Sequence, residues 1–289
     1  MNTILKLFTL LVVTLILSAC STSGTGLLNS FAGSEGYTKV SNVKYGAYPQ
    51  NTLDVYQPTA SAVSTPSKSK PVIVFFYGGC WGQCSDLKKS SYLFVAQSFA
   101  SRGFTTVIAD FRQYPAVNFA TLMGDASNVM AWTSRNIANY GGDPRRIIVA
   151  GHSSGAHIAA MLALNPRYRQ NGLRGFIGLA GPYDFLPLDE DYQKVIFNPA
   201  NNYANSQPIN FVTEQSPPLL ILHGEKDTTV SKHNAVNLSV KAKQKGVNQK
   251  LILYPSHSHT SILAALSRPL QGKTRVLTDM LAFMREHTQ

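Results

Sequence analysis

Short apolar runs recur along the chain, each closed by glycine, proline or a polar cluster, with helically spaced apolar positions between them. PVIVFFYGG (71–79) is the clearest. A run without alternation is what a strand buried on both faces requires. FTTVIADF (104–111), the run over 146–151, GFIGLAG (175–181), PPLLILHG (217–224) and QKLILYP (249–255) repeat the pattern. Helices are expected at 88–102, over a long amphipathic stretch ending at Tyr140, at 154–164, at about 231–245 and near the C-terminus. YTKVSNVKYG (37–46) and NTLDVYQP (51–58) have no helix between them and read as an antiparallel edge pair. TASAVSTPSKSK (59–70) is a polar loop. Strands alternating with helices predict an α/β fold: a mostly parallel central sheet of about eight strands with helices on both faces. The stretch 185–216 lacks clear periodicity, and long irregular segments in compact domains are usually functional, so it reads as a cap or pocket wall.

The 289 residues suit one large domain, assigned to 37–289, and 44% hydrophobic with 14% charged residues fits a globular chain. The formal net charge of +11 changes little. Lysine and arginine are scattered without a run of four, and no zinc-finger, RNP-like or phosphate-loop motif accompanies them, so nucleic-acid binding is not expected. A basic surface near anionic lipid or polysaccharide is the simpler reading. The N-terminus is more informative. Lys6 precedes an apolar stretch, Leu7 to Ile16, too short to span a bilayer, which takes about 20 residues. Leu17-Ser18-Ala19-Cys20 resembles a bacterial lipobox, implying a signal peptide over 1–19 and a lipidated Cys20. Ser21 in place of Asp implies outer-membrane sorting. The expected location is the bacterial envelope, lipid-anchored on the periplasmic or surface face. Residues 20–36, rich in Ser and Gly, read as a flexible tether. Cys80 and Cys84 remain in the exported domain, where a disulfide is compatible with the compartment; spacing leaves a bridge and two packed thiols both open.

Gly151-His152-Ser153-Ser154-Gly155 fits G-x-S-x-G between a strand and a helix, the context of a nucleophile elbow. The glycine spacing selects Ser153 over Ser154. A serine hydroxyl needs a base, and the base an acid, in the chain order Ser, Asp or Glu, His. Asp227, Glu225 and Asp184 follow later strands. His257 and His259 follow the last strand at a helix start. His152 is the variable residue of the elbow, His157 and His223 read as packed, and His233 as a helix-surface residue. An oxyanion needs preorganised N–H donors. The amide of Ser154 and the glycine-rich loop FFYGGCW (75–81) are the candidates.

These landmarks together resemble the α/β-hydrolase carboxylesterases of the hormone-sensitive-lipase and bacterial feruloyl-esterase-like group, over about residues 50–287. YGGCW (77–81) falls where that group has His-Gly-Gly-x-Trp. DFRQYP (110–115), GGDPRRIIVAGHSSGAHIA (141–159), AGPYDF (180–185) and PPLLILHGEKDTTV (217–230) match its other motifs. The resemblance implies an α/β-hydrolase fold and a Ser153–Asp227–His259 triad. It favours His259 over His257 and places the oxyanion donors at the amides of Gly79, Cys80 and Ser154. Two positions depart from the pattern: Tyr77 replaces the usual histidine, and Cys80 stands where many members have a third glycine. A Cys80–Cys84 bridge would pin that loop.

The expected function is serine carboxylester hydrolysis of a small-molecule ester, of short acyl or aryl type since no long apolar lid is visible, with no cofactor and no metal. Amidase, arylformamidase or polysaccharide deacetylase chemistry on the same fold, and a non-catalytic envelope binding lipoprotein, are the alternatives.

Overall fold

A computed structural model describes residues 22–62, 69–84 and 86–289; the lipobox, Cys20 and the signal peptide lie outside them. Most of the apolar runs become strands buried along their centres, whereas in the last, at the sheet edge, residues 251–253 are only half-buried. In β3 (Lys70–Phe76) residues 72–76 are all buried, and in β5 (Gly142–His152) residues 147–152 are, so both sheet faces are covered. With β1 (Tyr37–Lys44), β2 (Thr52–Pro58), β4 (Thr105–Ala109), β6 (Leu173–Leu179), β7 (Leu219–Gly224) and β8 (Gln249–Tyr254) they form one sheet of order β1-β2-β4-β3-β5-β6-β7-β8. β1 and β2 are the antiparallel edge; every pair from β4 onward is parallel. Register follows the apolar cores, with Val74 opposite both Val107 and Val149.

The order positions the site. From β3 the chain passes to β4 on one side, then returns across β3 to β5 and continues to β6 on the other. The connections therefore diverge between the carboxyl ends of β3 and β5, where open α/β sheets bind ligands. The Gly-Gly loop follows β3 and the elbow follows β5.

The helices are α1 (Thr22–Ser30), α2 (Leu93–Ala100), α3 (Phe119–Asn136), α4 (Ser154–Leu164), α5 (Asp191–Ile196), α6 (His233–Gln244), α7 (His259–Ala264) and α8 (Val276–His287). All of α4 is buried. α1 corrects the expected tether. Serine and glycine content signals low burial, yet Thr25 and Leu28 are buried, and the Asn29 side chain donates to Ser90 O (2.9 Å) and accepts from the Phe94 amide (3.1 Å). The segment is docked through Thr25, Leu28 and Asn29. Residues 185–216 carry α5 and two 3-10 turns, Ala200–Ser206 and Pro208–Phe211.

Candidate active site

Ser153 sits at the turn between β5 and α4 with φ 56° and ψ −129°, a conformation costing about 1–3 kcal/mol for a side-chain-bearing residue. The glycines on either side make the turn possible. A Cβ on Gly155 would lie 2.1 Å from the carbonyl oxygen of Phe76, and one on Gly151 would lie 2.3 Å from that of Gly155. The helix start is therefore pressed directly against the end of β3.

Three side chains from three strand ends meet there. Ser153 Oγ lies 2.9 Å from His259 Nε2, and His259 Nδ1 lies 2.8 Å from Asp227 Oδ2. His259 is the first residue of α7, whose N-cap Ser258 accepts from the Ser261 amide. Asp227 follows β7. Its Oδ1 accepts from the amides of Thr229 (2.8 Å) and Val230 (2.9 Å), leaving Oδ2 for the imidazole. Burial raises its pKa, but N–H groups of His223, His259 and Val230 outweigh that and hold the carboxyl well below the usual range. A hydroxyl hydrogen-bonded to an imidazole whose far nitrogen meets a carboxylate has a route for its proton.

The rival residues go elsewhere. His257 Nδ1 faces Ser261 Oγ at 3.2 Å, Glu225 is exposed, and Asp184 Oδ2 accepts from Asn237 Nδ2. His223 is packed, as its strand-end position suggested, but it also touches the carboxylate: Nε2 is 2.9 Å from Val230 O and 3.2 Å from Asp227 Oδ2. Only its offset of four residues from Asp227 hints at that in the sequence. His152 packs its ring 4.8 Å from that of His259 and donates from Nε2 to the His259 carbonyl (2.8 Å).

The Gly-Gly loop approaches from β3. Gly79, Cys80, Trp81 and Gly82 all have positive φ: 124°, 53°, 57° and 113°. Left-handed backbone costs about 1–2 kcal/mol for each of Cys80 and Trp81, so other contacts must hold the loop. Cys80 is bonded to Cys84 across a Cα–Cα distance of 5.3 Å, the Gly82 and Cys84 amides donate to Gly79 O, and the Tyr114 amide donates to Trp81 O. Below the loop, Tyr77 is buried between Tyr92 and Phe111 and donates to Asp110 Oδ1 (2.9 Å). It braces the loop from where the resembling group has histidine. Among the described residues the amides of Gly79, Cys80 and Ser154 meet no protein acceptor, whereas the Trp81 amide is taken by Ser154 Oγ (3.2 Å). Ser154 is the first residue of α4, so its amide stands at the positive end of that helix.

A cleft of about 750 Å³ opens over Ser153. Trp81, Phe185 and Leu186 give it an apolar side; Asp184, Glu190 and the 228–233 segment give it a polar one. The stretch 185–193 thus lines the cleft. Among the described residues no group of three or more His, Cys, Asp and Glu side chains could hold a metal ion.

The buried imidazoles fix how stability depends on acid. Burial lowers the pKa of His152 to about 3 and of His157 to about 4, from 6.5. Between those values only the unfolded chain binds the protons, so the full stability present above about pH 6.5 is lost as pH falls. The loss is on the order of 5 kcal/mol between pH 7 and 4.5 for the two together. A melting temperature that drops steeply over that interval is expected; one that stays flat would contradict the neutral assignment of both rings.

The chain is 28% identical to a probable isoprenylcysteine alpha-carbonyl methylesterase of Oryza sativa, over 80% of this chain and 59% of that protein. It is 27% identical to esterase LipC of Mycobacterium tuberculosis, over 67% and 52%. The chain thus spans between about half and three fifths of the length of these relatives. Among solved structures, a truncated carbohydrate esterase from gut microbiota aligns with TM-score 0.72 at 20% identity, covering 89% of this chain and 98% of the other. The propionate-bound esterase 2 of Thermogutta terrifontis aligns with TM-score 0.69 at 21%, covering 87% and 94%. These structural likenesses establish the α/β-hydrolase fold. The BD-FAE family model matches residues 53–242, well over half of the chain, and the chain belongs to that esterase family.

Proposed function

We propose that this chain is a serine carboxylesterase in which Ser153, His259 and Asp227 act as nucleophile, general base and orienting acid. The observation that carries the reading is the unbroken line from Ser153 Oγ through His259 to Asp227, at 2.9 and 2.8 Å, on a strained elbow. His259 Nε2 takes the hydroxyl proton as Ser153 Oγ attacks the ester carbonyl. The amides of Gly79, Cys80 and Ser154 receive the oxyanion. The same nitrogen returns the proton to the leaving alcohol, and a water repeats the sequence to free the acid and Ser153. Asp227 keeps Nδ1 protonated and stabilises the imidazolium.

The substrate favoured is a short acyl group on a polar alcohol. Trp81 and Phe185 offer a confined apolar surface, while the opposite side of the cleft is hydroxyl- and carboxylate-bearing. The names of the structural neighbours, which include a carbohydrate esterase and a propionate complex, agree with this. The lipobox supports the further reading that Cys20 anchors the enzyme to the bacterial outer membrane.

A panel of nitrophenyl esters from acetate to palmitate, acetylated sugars, feruloyl esters and formyl amides tests the reading. Hydrolysis of acetate and butyrate esters at least tenfold faster than palmitate is expected, and Ser153→Ala should abolish it. Turnover of the amides alone, or of no member of the panel, would overturn it.

A further inference from the structure

We propose that His157 is a positioning residue that ties residues 200–206 to the oxyanion loop, holding Trp81, and with it the amides of Gly79 and Cys80, in working position. This rests on the assignment of Ser153 and the 79–84 loop made above.

His157 lies in the interior of α4, one turn beyond Ser153, and is completely buried. An apolar side chain would fill that place without polar cost, as its neighbours Ala156 and Ile158 do. Instead an imidazole stands there with both nitrogens engaged. Nδ1 lies 3.1 Å from the indole Nε1 of Trp81, and Nε2 lies 2.7 Å from the carbonyl oxygen of Ser206. The indole N–H only donates and the carbonyl only accepts, so Nδ1 is bare and Nε2 carries the proton. One neutral tautomer satisfies both partners, and burial, by holding the pKa down to about 4, keeps the ring neutral near pH 7.

The ring is clamped on its other sides. Trp81 meets it edge-on at 5.3 Å, and Phe119, Phe185 and Phe197 lie at 5.3, 5.5 and 5.7 Å. Trp81 in turn is the third of four successive residues with positive φ. Its backbone amide is held by Ser154 Oγ and its indole by His157, three positions further along the same helix. Two side chains of the elbow helix therefore grip one residue of the loop. A left-handed turn of this kind persists only where its surroundings over-determine it. On the far side, Ser206 ends the 3-10 turn Ala200–Ser206, in the same 185–216 insertion whose residues 185–193 line the cleft. Displacement of that insertion is transmitted through one imidazole to the indole beside the oxyanion amides.

Three substitutions in a Trp132→Phe background, where Trp81 is the sole tryptophan, separate the two halves of the contact. His157→Asn keeps an acceptor near the place of Nδ1 and loses the donor to Ser206. His157→Gln keeps a donor near Nε2. His157→Phe keeps neither. kcat and KM on a nitrophenyl butyrate are measured per active site titrated with a fluorophosphonate, alongside Trp81 emission. His157→Phe is expected to lower kcat about 10²-fold, as loss of precise placement does, with KM changed less than about threefold. His157→Asn should recover at least about tenfold of that and restore the emission maximum, which His157→Phe shifts. Equal kcat losses in all three variants that track melting temperature, with emission unchanged, would overturn the proposal and leave His157 a packing residue. An inactive parent protein with the same emission pattern would overturn the esterase reading while upholding the clamp.

Discussion

Asp227→Asn is expected to lower kcat about 10⁴-fold with KM within a few-fold, because it reverses the imidazole tautomer without disturbing the fold. The surroundings of the carboxylate dictate the orientation of the new amide. Oδ1 accepts two backbone N–H groups, from Thr229 and Val230, so the asparagine oxygen must take that place. Its NH₂ group then faces His259 Nδ1, where Oδ2 stood 2.8 Å away. A donor there forces His259 to accept at Nδ1 and carry its proton on Nε2, and such a ring cannot take the proton of Ser153. His223 Nε2, 3.2 Å from the same atom, adds a second N–H against the amide. Single-turnover acylation rates against pH are the measurement. A loss below about tenfold would mean that Asp227 is not the orienting group.

Gly155→Ala is expected to destabilise the protein by about 3 kcal/mol or more, at the upper end of overpacking penalties, and to abolish activity. The added methyl would meet the carbonyl oxygens of Phe76 and Tyr77 at 2.1 and 2.5 Å. Both belong to backbone, which cannot swing aside as a side-chain tip does. The helix must lift from the end of β3, carrying Ser153 and the Ser154 amide with it. The fall in melting temperature should be about 10 °C. Gly124→Ala is the control. It lies exposed within α3 with nothing inside 4 Å of a new Cβ, and should stabilise by about 0.5–1 kcal/mol. If Gly155→Ala melts with the parent, the close approach of helix and strand is wrong.

The parts of this molecule legible in the sequence were those in which one local pattern carries one meaning. Strands buried on both faces must be continuous apolar runs, so β3, β5 and β7 were readable to within a few residues. The G-x-S-x-G spacing reports a local steric need, the contact of Gly155 with β3. The choice of His259 over His257 came from resemblance, since both lie in one short turn and only the fold decides which ring reaches Ser153. α1 was missed because its composition says nothing of a docking site near Ser90 and Phe94, more than sixty residues away. The contacts of His157 were hidden for the same reason. Its partners Trp81 and Ser206 lie 76 and 49 positions away. The left-handed conformations of Cys80 and Trp81 had no local signal either, since neither residue favours them.

The most direct test of the central claim is where a fluorophosphonate attaches. Labelled protein is digested and the modified peptide sequenced by mass spectrometry. One adduct per chain on Ser153 is expected, absent in Ser153→Ala, retained in Ser154→Ala and slowed about as strongly as hydrolysis in Asp227→Asn. An adduct on any other residue, or labelling that survives Ser153→Ala, would contradict the account.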